Sequence, residues 1–220
     1  QPFWQLYEAD YRRGRDIMKL RPDQEIICQW IQPGSRILDL GCGDGTLLRH
    51  MMDHHQVEGY GLELDDHNVL SSIENGINVI QSDLDRGLSD YFDSDSFDYV
   101  IMSLTLQAMN YPDQLLDEML RVGKQGIITF PNFGHWRNRL QLLLGGKMPV
   151  NRNLPNSWYN TPNIHLCTVD DFETLCAQKG IRILERTVVD RQHREPALLK
   201  LAPNLLGEVA LYRFERLPYG

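Results

Sequence analysis

The stretch RILDLGCGDGTLL, residues 36–48, decides the fold. Arg36 to Leu40 reads as a strand carrying one acid, Asp39; it runs straight into the glycine loop Gly41-Cys42-Gly43-Asp44-Gly45, and a helical pattern begins at Thr46. A strand, a glycine loop and a helix in immediate succession bring bare backbone to the carboxyl edge of a parallel sheet, where ligands bind. Glycine suits the loop because it has no Cβ and tolerates unusual φ values. The dinucleotide fingerprint is G-x-G-x-x-G, and here the third glycine comes one residue early. That spacing favours S-adenosylmethionine (SAM) over NAD.

Acidic residues at the next strand ends extend the motif. Glu63 follows Gly41 by 22 residues at the end of the second strand, the position at which an acid hydrogen-bonds ribose hydroxyls in Rossmann-like sites. Asp83 lies just past the third strand, where a carboxylate accepts from an adenine amino group, and Asp39 suits the ammonium of an amino-acid moiety. Three acids at successive strand ends fit a cationic sulfonium nucleoside and repel a pyrophosphate. The candidate set is Asp39, Gly41, Cys42, Gly43, Gly45, Glu63, Leu64, Asp83, Leu84 and Ser103. Singly, the loop also reads as a tight turn and Glu63 and Asp83 as solvated residues; their joint placement carries the functional reading.

Outward from the loop the chain alternates helix and strand, the pattern of a parallel sheet covered by helices. Residues 23–31 form a helix ended by the turn at 32–35, and strands are expected at 36–40, 57–64, 77–81, 97–103, 126–130, 181–190 and 205–214. A helix follows the loop from Thr46 to about Asp53. Asp65 or Asp66 caps a helix that Gly76 closes, since Asp accepts first-turn amides and Gly tolerates a left-handed C-terminus. Pro112 and Gly123 bracket a fourth helix, and Thr168 with Asp171 opens another, to Lys179, by a capping box.

At 220 residues one domain is the default, long enough to bury about 70% of the unfolded chain's surface. The formal charge of −8 argues against a general nucleic-acid binder, which needs a surplus of Lys and Arg. Cys28, Cys42, Cys167 and Cys176 form no CxxC pair and no zinc-ligand spacing, so no metal is expected and the thiols read as reduced. The first residues lack a secretory pattern, and no apolar run approaches the ~18 residues of a membrane span. A cytoplasmic protein without membrane attachment is the expectation. Residues 1–17 form an N-terminal extension outside the helix–strand pattern.

Residues 131–165 break the rhythm: they contain no Asp or Glu, although the chain carries 30. They hold Arg137, Arg139, Lys147 and Arg152 among Trp136, Trp158 and Tyr159, and they follow the carboxyl end of the fifth strand. His135, Tyr159 and His165 are the candidates for a base, with packed or loop residues as the commoner reading. Trp136 and Trp158 read as substrate platforms or as core and lid anchors. Arg137 and Arg139 suit an anionic substrate, an acidic partner surface or a solvated face.

The motifs ILDLGCGDGTLL, YGLELD, VIQSDLD and FDYVIMSLTLQAM resemble those of class I SAM-dependent methyltransferases. Together with GIITFPNFGHWRNRLQLLLGGKMPV, WYNTPNIHLCTVDDFE and NLLGEVALYRFER they resemble the methionine biosynthesis protein MetW family, from about Asp23 to Arg216. The resemblance implies a Rossmann-like α/β fold with helices on both faces of a seven-stranded, mostly parallel sheet of order 3-2-1-4-5-7-6, its last strand antiparallel. It also implies SAM or S-adenosylhomocysteine as cofactor and a MetX-type homoserine O-acyltransferase as partner. Two readings stand: a SAM-binding accessory subunit of homoserine acylation, and an independent methyltransferase acting on an unidentified small molecule. Methyl transfer needs alignment and desolvation more than a catalytic triad, so a missing triad does not separate them.

Overall fold

A computed structural model describes residues 20–151, 154–190 and 201–217. The N-terminal extension at 1–17 and Arg152 lie outside the described residues. Along the chain run α1 (Pro22–Trp30), β1 (Arg36–Leu40), α2 (Thr46–His55), β2 (Glu58–Glu63), α3 (Asp66–Glu74), β3 (Asn78–Gln81) and β4 (Phe97–Ser103). Then come α4 (Pro112–Val122), β5 (Gly123–Pro131), α5 (Trp136–Gly145), α6 (Val169–Gln178), β6 (Ile181–Val189), α7 (Pro203–Leu206) and β7 (Val209–Arg216). Single 3-10 turns, Leu84–Arg86 and Leu106–Ala108, follow β3 and β4.

The seven strands form one sheet in the order β3-β2-β1-β4-β5-β7-β6, the order that the family resemblance implies. β7 runs antiparallel to both β5 and β6, and the remaining pairings are parallel. Strand alternation divides β1 between two cores. Ile37 packs with Leu47, Leu48 and Met51 of α2, whereas Leu38 and Leu40 join Leu116 and Met119 of α4 and Phe172 of α6 on the other face. Asp39 shares the face of Ile37, in register between Gly61 of β2 and Ile101 of β4. A carboxylate is thereby placed in the middle of the sheet edge.

The helix caps expected at Asp65 and Thr168 are formed: Asp65 accepts from Asn68 N, and Thr168 and Asp171 make a reciprocal capping box. Two boundaries differ. β5 begins at Gly123, with no loop after α4; a Cβ on Gly123 would meet Val100 Cγ2 at 2.4 Å, so this glycine answers the close approach of β4. The segment at 205 does not open as a strand. Pro203 to Leu206 make a helical turn, held by Asn132 Nδ2 donating to the carbonyls of Asn204 and Gly207 at 2.9 and 2.8 Å, and β7 starts at Val209. The helix α5 within 131–165 has no counterpart among the expected elements.

Candidate functional site

A cleft of about 330 Å³ opens at the carboxyl ends of β1, β2, β3 and β4. Nine of the ten residues singled out from the motifs line it; Gly45 does not. Gly45 is left-handed (φ +77), and a Cβ there would meet Ile77 Cγ1 at 2.6 Å. Its smallness therefore serves packing of the loop against Ser72 of α3 and Ile77, the residue before β3. Gly43 is the converse case: φ is +59 and no atom lies within 4 Å of an added Cβ. The loop is open to a ligand at this residue. Cys42 contributes backbone, because its thiol is turned inward, 3.8 Å from Ser72 Oγ, and burial raises its pKa.

Glu63 ties the loop down. Its Oε2 accepts from Gly43 N at 2.8 Å, and its Oε1 accepts from Leu64 N and Asp65 N at 2.8 and 3.0 Å. A carboxylate offers about four acceptor sites, so capacity remains for one further donor. Asp83 Oδ1 accepts from Asp85 N at 3.0 Å and caps the turn at Leu84. Asp44 Oδ1 caps α2 through Thr46 N at 3.0 Å.

Asp39 is buried, and its Oδ1 has no hydrogen-bond partner. Burial pushes its pKa up to about 7; the Arg21 guanidinium opposes this and the Glu63 carboxylate adds to it. Unsatisfied buried polar atoms are rare and call for a partner. Around the cleft stand the carboxylates of Asp39, Asp44, Glu63 and Asp83, and the one cationic side chain among the described lining residues is Arg21. Arg21 is engaged with Asp23, through Nε and Nη2 at 3.1 and 3.0 Å, and donates from Nη2 to Ser103 Oγ at 2.6 Å. The glycine cradle, the orphaned Asp39 oxygen and the acidic lining fit a nucleoside carrying an ammonium and a sulfonium. They do not fit a pyrophosphate.

The candidates from 131–165 fall elsewhere. His135 is buried at the N-terminus of α5, 4.0 Å from Glu208, and desolvation lowers its pKa. Trp136, Arg137, Arg139, Trp158, Tyr159 and His165 are exposed, and none of them lines the cleft. The segment reaches the cleft through Pro162 and Asn163. It is fastened there by Ile164 N and His165 N, which donate to Gln107 O at 2.8 and 3.0 Å.

Arg21, Gln24, Thr105, Gln107 and Met109 also line the cleft and escaped the motif reading. Arg21 precedes Pro22 and is extended, as a residue before proline prefers, which aims it across the site. The loop after β4 carries the left-handed Leu104 at φ +56, a strained non-glycine conformation of the kind found at functional sites. Only the second of these left a trace in sequence, as part of FDYVIMSLTLQAM.

Strand order and site position define the Rossmann-like class I methyltransferase architecture. Solved structures share it: a SAM-dependent methyltransferase from Mesorhizobium loti (TM-score 0.66, 18% identity, 91% of this chain and 100% of that one), and a SAM-dependent methyltransferase from Archaeoglobus fulgidus (0.65, 14%, 97% and 99%). The [4+2]-cyclase SpnF shares it as well (0.62, 17%, 94% and 86%). More narrowly, the chain belongs to the family described as methionine biosynthesis protein MetW, whose family model matches residues 21–214. A bifunctional methionine biosynthesis protein MetXA/MetW from Rhodopirellula baltica is 37% identical over 206 residues. That match takes in 90% of this chain and 33% of the relative, so the chain spans about a third of its length. Among the described residues no helix is long and apolar enough to cross a membrane, and no group of three or more His, Cys, Asp or Glu is placed to hold a metal ion.

Proposed function

We propose that this chain binds SAM or S-adenosylhomocysteine in the cleft and acts in methionine biosynthesis as an accessory subunit of a MetX-type homoserine O-acyltransferase. The observation carrying the cofactor assignment is the buried Asp39 carboxylate with its unpartnered oxygen in an acid-lined cleft. In this reading Asp39 holds the ammonium of the ligand, Glu63 a ribose hydroxyl and Asp83 the adenine amino group, with the backbone of Gly41 to Gly43 against the nucleoside. Leu64, Leu84 and Ser103 complete the walls. Support for the partner comes from the relative in which MetXA and MetW names are joined in one chain. Linking two modules makes their encounter intramolecular and raises effective concentration, so fusion is favoured where two units work together.

A second reading, independent methyl transfer to a small molecule, draws on one feature: Ala108, Met109 and Pro162 give the cleft an apolar side beyond its acids. Such a side suits a bound acceptor aligned for in-line attack, in which the S–CH₃ bond breaks as the acceptor–CH₃ bond forms. The same architecture in a [4+2]-cyclase means that fold does not decide the chemistry. Calorimetry with SAM and with NADH tests the cofactor, and binding of NADH alone would overturn it. Acyltransferase assays with and without this chain test the accessory role. Methyl transfer by the chain alone, with no effect on acylation, would establish the second reading.

A further inference from the structure

The helix α5 is turned inside out. Its one buried side chain is Asn138, whose Nδ2 donates to Phe133 O at 3.1 Å and whose Oδ1 accepts from Asn151 Nδ2 at 2.8 Å. Of its five large apolar residues, Trp136, Leu140, Leu143 and Leu144 follow the i, i+4, i+7, i+8 spacing of one helical face; these four and Leu142 are all exposed, Leu143 and Leu144 to 79% and 77%. Met148 and Val150 continue the exposed apolar run beyond the helix. An apolar stripe of this kind on an isolated chain marks an interaction site, and its spacing is that of a helix laid into an apolar groove.

Charge selects the occupant. Exposed Arg137, Arg139 and Lys147 flank the stripe; the connection from 131 to 165 has no carboxylate of its own, and Glu208 at 4.0 Å from Arg137 offsets one of the three cations. A second copy meeting the same face about a two-fold axis would set these cations against themselves. The sequence 191–200, RQHREPALLK, is basic too. The complementary surface is therefore an apolar groove rimmed by Asp and Glu. We propose that α5 docks into such a groove on the acyltransferase, an inference that rests on the accessory-subunit reading above.

The test is co-purification and titration of the full chain with the homoserine O-acyltransferase of the same organism, comparing wild type with Leu143→Asp and Leu144→Asp. Both side chains are largely exposed, so the variants should melt as wild type and bind SAM as before. Each is expected to weaken association at least tenfold. Leu143→Cys in the isolated chain should react rapidly with a maleimide and become protected when the acyltransferase is added. Wild-type association left unchanged in both aspartate variants would overturn the docking face while leaving the accessory role standing; no association by wild type would overturn both. A wild-type dimer that the variants dissolve, or slow labelling of Leu143→Cys in a monomer, would assign the face to a second copy or to the chain itself and would likewise overturn the proposal.

Discussion

The Glu63 carboxylate holds the Gly43 amide at 2.8 Å, binding the end of β2 to the loop that follows β1. Glu63 is thus a structural clasp as well as the residue proposed to meet a ribose. Glu63→Ala should lose charge-assisted hydrogen bonds worth roughly 1.5 to 3 kcal/mol, about a ten- to hundred-fold loss of SAM affinity. It should also lower the melting temperature, because three loop amides lose their acceptor. Calorimetry and thermal melting on the same preparation check both, and unchanged affinity in a folded variant would remove Glu63 from the site.

The glycines of the loop should divide by role. Gly45→Ala forces a Cβ against Ile77 and Ser72 and should destabilise the fold whether or not ligand is present. Gly43→Ala meets no neighbour; the left-handed conformation alone costs about 1 to 2 kcal/mol. Gly43→Val should abolish SAM binding more completely than Asp44→Ala, which removes the hydrogen bond to Thr46 N at the start of α2 and one of the four carboxylates around the cleft. Normal binding by folded Gly43→Val protein would reduce the loop to a turn.

Asp39 predicts a pH dependence. Its carboxyl sits at about 7 in the folded chain against 3.8 in the unfolded one. Below 3.8 both states hold the proton, and above it the unfolded chain ionises first, so the site destabilises the ligand-free protein increasingly until about pH 7. A shift of this size corresponds to about 4 kcal/mol. Asp39→Asn should therefore raise the melting temperature of the ligand-free protein, more at pH 8 than at pH 5. An ammonium-bearing ligand selects the carboxylate, so wild-type SAM affinity should fall as pH drops below 7 and the Asn variant should bind poorly throughout. A melting difference independent of pH would show that Asp39 is not titrating.

Sequence legibility followed periodicity. The strands, the capped helices and the acids at strand ends announce themselves because local chemistry and global position agree there. α5 escaped because its pattern is inverted: in WRNRLQLLLG the leucines face solvent and an asparagine faces the protein. Arg21 escaped because its role is made by a contact 82 residues away, with Ser103. Gly45 and Gly43 look alike in sequence, and only the packing of Ile77 and Ser72 against one of them separates their functions.

The acid-free connection joins the two proposed activities, because the chain that displays α5 ends in a strap over the cleft. Pro162 and Asn163 line the cleft, and the next two amides are fixed on Gln107 O, in the turn after β4. A ligand that orders this strap would alter the surface carrying exposed Trp158 and Tyr159, and a partner seated on α5 would act back on the strap through the same connection. Such coupling is reciprocal: the factor by which SAM changes affinity for the acyltransferase must equal the factor by which the acyltransferase changes affinity for SAM. Titrations of each with and without the other should return the same factor, and exchange of the Ile164 and His165 amides should slow when SAM binds. Arg137→Glu, a reversal at a half-exposed side chain, should weaken association in a salt-dependent way, as a rim charge does. Trp136→Ala should weaken it at all ionic strengths, since it removes apolar area. If SAM leaves both the amide exchange and the partner affinity unchanged, cleft and docking face are energetically independent.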